Sequence, residues 1–90
     1  MDENDKPVID PRGAQLVYMV IADHIAGRIS NGELQPGMRI PGELDLAAFY
    51  GVARMTAARA VRELRERGLV ITVRGKGTFV VEQPPSNGEE

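Results

Sequence analysis

The side chains best equipped for chemistry in this 90-residue chain are its arginines. On a helix advancing 100° per residue, Arg59 and Arg62 share one side with Met55, Ala58 and Glu66, and Arg54 stands at the N-terminal edge. Guanidinium forks match guanine O6 and N7 bidentately, and a helix offered to a major groove reads bases from its first turns. Arg54 and Thr56 lie in that first turn, where backbone N–H groups also favour phosphate. A second basic site, Arg74-Gly75-Lys76-Gly77, holds two cations among glycines, slim enough for a minor groove about 6 Å wide. Each pattern has a plainer account. The helix could be a solvated face with Glu63–Arg67 and Arg62–Glu66 pairs. The turn could need glycine for positive φ and carry basic residues that discourage strand association. Their occurrence side by side favours duplex nucleic acid.

Other chemistries are poorly supplied. The absence of cysteine removes disulfides, thiolate metal sites and thiol nucleophiles, and one histidine cannot make a zinc site. His24 has no carboxylate–serine or ligand constellation near it in sequence and is expected to be structural. Glu43 and Asp45 are two apart, so on a helix they point to different sides and form no acid/base pair. Gly75-Lys76-Gly77 joins strands rather than opening a helix, unlike a phosphate-binding loop. No enzyme activity, metal or cofactor is expected. The net charge of −2 argues against nucleic acid only until it is mapped. Residues 1–11 carry −3 and residues 82–90 another −3, whereas residues 12–81 hold ten basic groups against six acidic ones. Local charge decides whether a phosphate backbone is attracted.

Composition places these residues on a small domain. Hydrophobic residues at 42% and charged ones at 27% match globular averages. No apolar run approaches the roughly 20 residues of a membrane span, and the acidic N-terminus lacks a secretory h-region. A soluble, cytoplasmic protein without membrane contact is expected. Residues 1–11 read as a disordered acidic arm, 12–82 as the folded domain and 83–90 as a disordered tail. Asp10-Pro11 reads as an N-cap and first helical position. From Gln15 a helical stripe of Val17, Ile21, Ile25 and Ile29, widened by Tyr18 and Ala22, runs to a stop at Asn31-Gly32. Met38-Arg39-Ile40 is a short extended candidate. A second helix is expected over 43–50, burying Leu44 or Leu46 with Ala47 and Phe49 or Tyr50. A third runs from about Arg54 to Arg67, with Ala57, Ala60, Val61 and Leu64 inward and Gly68 as its stop. Leu69–Val73 and Thr78–Val81 are β-branched runs flanking the basic turn, a hairpin signal. The order predicts an α+β fold, a winged helix-turn-helix of three helices and a two-stranded wing, with Arg39-Ile40 as a candidate third strand.

Four segments carry a family resemblance. Gly32-Glu33-Leu34-Gln35-Pro36-Gly37-Met38-Arg39-Ile40-Pro41, Tyr50-Gly51-Val52-Ala53-Arg54-Met55-Thr56 and Arg74-Gly75-Lys76-Gly77-Thr78-Phe79-Val80 resemble the N-terminal DNA-binding domain of GntR bacterial transcription regulators. Tyr18, Ile21, Ile25 and Ile29, with Leu64, Arg67 and Gly68, fit the same pattern, so the resemblance covers roughly residues 15–81. It implies base contact by Arg54, phosphate contact by Thr56, and minor-groove entry by Arg74 and Gly75. It also places Arg39 near phosphate. Arg59 and Arg62 are expected on phosphates beside them, with Met55, Ala58, Lys76 and Gly77 completing the interface.

The departures from the family pattern are specific. The usual Ser-Glu-Arg-Glu-Leu of the second helix is here Gly42-Glu43-Leu44-Asp45-Leu46, losing a capping hydroxyl and an arginine. The serine before the recognition helix is Ala53, Met55 replaces a common threonine, and Ala58 a common arginine. Apolar groups can contact the thymine methyl, so an A·T-leaning site and simply weaker binding both stay open. Family members continue into a second domain that binds an effector and dimerises, whereas only Glu82–Glu90 follow Val81. A native-looking Met1 and the acidic tail favour a natural single-domain regulator over an excised piece. Leu16, Met19 and Val20 lie opposite the core stripe of the first helix. They are either covered by the terminal arm or wing, or form a self-association face for a homodimer. The expected function is sequence-specific binding of double-stranded DNA at a palindromic operator, by a repressor. The competing expectation is a winged-helix adaptor for protein contacts.

Overall fold

The computed structural model describes residues 17–82. Glycine positions and apolar periodicity set its element boundaries. Helix α1 spans Val17–Ser30, α2 Glu43–Tyr50 and α3 Arg54–Glu66, followed by strands β1 (Val70–Val73) and β2 (Gly77–Val80). The acidic arm 1–11, the Asp10-Pro11 helix start, Leu16 and the tail 83–90 lie outside the described residues.

Each helix buries the stripe that its spacing dictates. Val17, Ile21, Ala22, Ile25 and Ile29 of α1 meet Ala57, Ala60, Val61 and Leu64 of α3, while α2 contributes Leu46, Ala47 and Tyr50. The sequence left Leu44 and Leu46 as alternatives. Leu46 is fully buried and Leu44 is exposed. Leu46, Leu64, Ile21 and Ile25 lie at the centre, where truncating one leucine to alanine costs about 2–5 kcal/mol. Gly51 ends α2 in the left-handed region at φ 70° and returns its N–H to the Ala47 carbonyl. Helix α3 ends one residue earlier than the periodicity predicts, at Glu66, with Arg67 as its C-cap.

The hairpin is antiparallel, with Val70 opposite Val80, Ile71 opposite Phe79, Thr72 opposite Thr78 and Val73 opposite Gly77. Val70 and Val80 turn inward and close the core beneath α3. The segment before α2 lies along the other edge of β2, with Ile40 N–H donating to Thr78 O (2.8 Å) and Val80 N–H to Met38 O (2.8 Å). It makes a single bridge, Arg39 to Phe79, so the candidate third strand is one bridged residue long. Ile40 is buried at this junction and ties the wing to the helices. Among the described residues, no helix is long and apolar enough to cross a membrane.

Candidate nucleic-acid interface

The surface opposite the core stripe of α3 is assembled from three elements. Ala53 takes extended N-cap geometry (φ −67°, ψ 152°) but supplies no side-chain cap, so the amide groups of the first turn lack a side-chain acceptor there. Arg54 and Met55 project from that turn into solvent, Thr56 and Ala58 are half-buried, and Arg59 and Arg62 are exposed further along. This is the face that helical spacing predicts.

Two grooves organise the side chains. The larger, about 440 Å³, is lined by Arg39, Glu43, Leu44 and Arg54 together with Gly77 and Thr78 at the base of the wing. Residues separated by nearly forty positions thus share one cleft. The Arg54 Nε lies 3.6 Å from Glu43 Oε1, a loose surface pair that orients the guanidinium and adds little stability. Arg39 passes directly over Gly77: a Cβ there would sit 2.6 Å from Arg39 Nε. Gly77 also has φ 129°, a backbone conformation that favours glycine, and a Cβ there would oblige the exposed Arg39 side chain to shift. The smaller groove, about 180 Å³, is lined by Tyr18, Met55, Thr56 and Arg59. Here Arg59 lies over the Tyr18 ring, 4.2 Å from its centroid. Such stacking holds a guanidinium in place while leaving its edge N–H groups available.

The wing tip is a narrow turn. Lys76 N–H donates to Val73 O at 2.9 Å, and Gly75 supplies φ 79° at the third turn position, the type II pattern. Arg74, Gly75 and Lys76 are exposed. Behind the tip, Thr72 and Thr78 hydroxyls lie 3.0 Å apart across the strands, and Arg65 Nη1 donates to Thr72 Oγ1 at 3.0 Å. Arg65 therefore braces the wing against α3.

The arginines of α3 divide by role. Arg67 pairs with Asp23 of α1 (2.8 Å) and Glu63 (2.9 Å), locking the end of α3 to α1. Hydrogen bonds to Glu63 and then Asp23 hold its guanidinium above its ordinary pKa. The Glu63–Arg67 pair of the plainer account is thus present, but on the side away from Arg54. His24 is structural: its Nδ1 is 2.7 Å from the Tyr50 hydroxyl, with the two rings edge to face. Burial pushes the Tyr50 phenol well above its ordinary pKa, and the Arg28 charge offsets this only in part. Met19 and Val20 are half-buried, and the Met19 sulfur lies 3.9 Å from Arg67 Nη2. Among the described residues, no cluster of His, Cys, Asp or Glu could hold a metal ion.

Sequence spacing singled out neither Tyr18 nor Glu43 nor Leu44 for the interface. By spacing Tyr18 belongs to the apolar stripe of α1, and its i to i+41 relation to Arg59 exists only after α1 packs on α3. An acidic residue beside an exposed arginine of the next helix has no periodic signature.

The bacterial regulatory proteins of the gntR family match residues 17–80. The chain is 41% identical over 64 residues to the HTH-type transcriptional repressor NagR of Bacillus subtilis, covering 71% of this chain and 26% of that protein. It is 42% identical over 73 residues to the histidine utilization repressor of Klebsiella aerogenes, covering 80% and 30%. The chain therefore spans less than a third of the length of these curated relatives. Among solved structures, the AraR DNA-binding domain in complex with operator ORX1 superposes with a TM-score of 0.69 at 36% identity, covering 71% of this chain and 77% of that one. A transcriptional antiterminator from Listeria monocytogenes EGD-e gives 0.72 at 34% identity, covering 78% and 52%. With the three-helix and wing architecture, the groove beside Arg54 and a family match across nearly all described residues, the chain belongs to the GntR family of bacterial regulatory proteins.

Proposed function

We propose that this domain binds double-stranded DNA sequence-specifically within a transcription regulator that acts as a repressor. The observation that carries the reading is the groove in which Arg39, Arg54 and the base of the wing converge. Helix α3 enters the major groove from its N-terminal turn. Arg54 reads a guanine edge there, and Met55 and Ala58 lie against the bases. Arg39, Thr56, Arg59 and Arg62 hold phosphates, and the Arg74–Gly77 tip enters the adjacent minor groove. The similarity to a domain solved with operator DNA, and to proteins named repressors, supports this assignment. One module of this size buries a modest interface, so two copies on a palindrome with half-sites about one helical turn apart are the expected arrangement. Met19 and Val20, with Leu16, are the candidate self-association face. Replacing Met19 and Val20 with glutamate should then abolish a dimer seen by sedimentation.

The test is selection of a site from random duplex DNA with the 90-residue chain, followed by titration at several salt concentrations. Six phosphate contacts predict a loss of affinity of about a thousandfold between 50 and 200 mM salt. Arg54→Ala should cost about 1–3 kcal/mol and relax specificity at one base pair. Weak, sequence-independent binding that Arg54→Ala leaves unchanged would refute the reading and favour a protein-binding adaptor.

A further inference from the structure

We propose that Leu44 and Met55 read the C5-methyl groups of thymines flanking the base pair contacted by Arg54. The inference rests on the DNA-binding reading above and deepens it. Two large apolar side chains stand in solvent at the mouth of the interface: Met55 is 82% exposed and Leu44 67% exposed. Neither belongs to the core, which α2 supplies through Leu46, Ala47 and Tyr50 and α3 through Ala57, Ala60, Val61 and Leu64.

Both flank Arg54. Met55 follows it on α3, 100° further around the helix, and lines the groove shared with Thr56. Leu44 lines the larger groove together with Arg54 itself. Glu43, next to Leu44 in sequence, holds the Arg54 guanidinium at 3.6 Å. The result is an apolar, cationic, apolar array at the start of the recognition helix.

Thymine alone among the four bases presents an apolar group in the major groove, and apolar contact with its methyl distinguishes it there. Leucine offers no hydrogen bond and methionine only a weak acceptor, so neither holds a phosphate or a polar base edge. What these side chains gain from DNA is burial against a methyl group. An unbranched methionine adapts its rotamer to a methyl from either strand. Of the two outcomes left open by the departures at positions 55 and 58, the exposure of Met55 beside Arg54, matched by that of Leu44, favours thymine reading over merely weaker binding.

The test uses the 90-residue chain and the duplex recovered by selection. Each thymine is replaced singly by deoxyuridine, which removes the methyl and keeps every hydrogen-bonding group. The guanine under Arg54 is located as the position where 7-deazaguanine weakens the wild type but not Arg54→Ala. Loss of affinity is expected at one thymine on each side of that guanine, about fourfold per methyl, the factor set by burying one methyl-sized group. Met55→Ala should erase the sensitivity at one thymine and Leu44→Ala at the other, with unchanged melting curves because both side chains are exposed. Equal affinity for all deoxyuridine probes, with Arg54 dependence intact, overturns this proposal and leaves the DNA-binding reading standing. A recovered site lacking thymine beside that guanine does the same. A chain that recovers no site, or one indifferent to Arg54→Ala, overturns both.

Discussion

Helix α3 begins without a side-chain cap, and supplying one should stabilise the domain. Ala53 already has the extended N-cap backbone, φ −67° and ψ 152°, and is exposed, so a serine fits without rearrangement. Its carbonyl accepts the Thr56 and Ala57 N–H groups at 3.0 and 3.2 Å, but its methyl accepts nothing. A serine Oγ would take the N–H of Met55, which has no acceptor within the helix, or share that of Thr56. Serine and alanine differ at N-caps by about 1 kcal/mol. For a domain of this size that raises Tm by roughly 4–8 °C.

Helix α2 provides an internal comparison. Gly42 is its N-cap at φ −69° and ψ 172°, also without a side-chain cap, and nothing lies within 4 Å of a Cβ placed there. Glycine gives up only a few tenths of a kcal/mol to serine at such a position, about 0.3 kcal/mol. Gly42→Ser should therefore move Tm by roughly 2 °C or less. Both variants would be compared by thermal and urea unfolding followed by far-ultraviolet circular dichroism. Midpoints at a shared m-value are the sound measure, because extrapolated stabilities carry about 10–15% uncertainty. An Ala53→Ser domain no more stable than wild type, or a Gly42→Ser gain equal to it, would refute the capping assignment. The N–H groups at the start of α3 would then already be satisfied at no net cost.

Three further outcomes follow from the geometry. Gly77→Ala should lose about 1–3 kcal/mol in urea unfolding, because it strains a φ of 129° and drives a Cβ to within 2.6 Å of Arg39 Nε. It should also weaken DNA binding by displacing Arg39. Lys76→Ala should leave stability unchanged and lower the slope of log affinity against log salt by about 1, read from titrations at several ionic strengths. Tyr50 gives a pH dependence: its phenol is raised above the ordinary 10.0 by burial, so the folded state holds the proton more tightly than the unfolded chain. That contribution is complete below about pH 10 and declines above it, by up to about 1.4 kcal/mol per pH unit. Tyr50→Phe should flatten this alkaline decline and cost about 1 kcal/mol at neutral pH through the lost His24 hydrogen bond.

Much of the architecture was legible in local patterns. The i+4 recurrence of Val17, Ile21, Ile25 and Ile29 defines the buried side of α1. Gly51 and Gly68 end helices where a residue with positive φ is needed. The β-branched runs around Arg74–Gly77 form the expected hairpin, although β1 and β2 each begin one residue away from the predicted starts. Strand ends depend on which carbonyl and amide finally meet: Val81 N–H still donates to Leu69 O beyond the paired residues. The choice between Leu44 and Leu46 was open because both fall within one short helix. It was settled by which side of α2 meets α3.

The site divides along the same line. The exposed side of α3 and the slim basic wing follow from residue type, spacing and turn chemistry, all of which act over a few residues. Local periodicity could therefore nominate Arg54, Arg59, Arg62 and the Arg74–Gly77 tip. It could not show that Arg39 crosses Gly77, that Glu43 meets Arg54, or that Arg59 rests on Tyr18. Nor could it show that Arg65 meets Thr72 and Arg67 meets Asp23 while Arg54 and Arg62 stay exposed. Those contacts join residues up to some forty positions apart. They exist because burial of Ile40 and of the α1–α3 seam brings separate elements within hydrogen-bonding reach. Local patterns of residue type and spacing specify the helices, the turns and the charge of the candidate interface, because they act over a few residues; packing between elements selects which cations are held, by what, and which remain exposed.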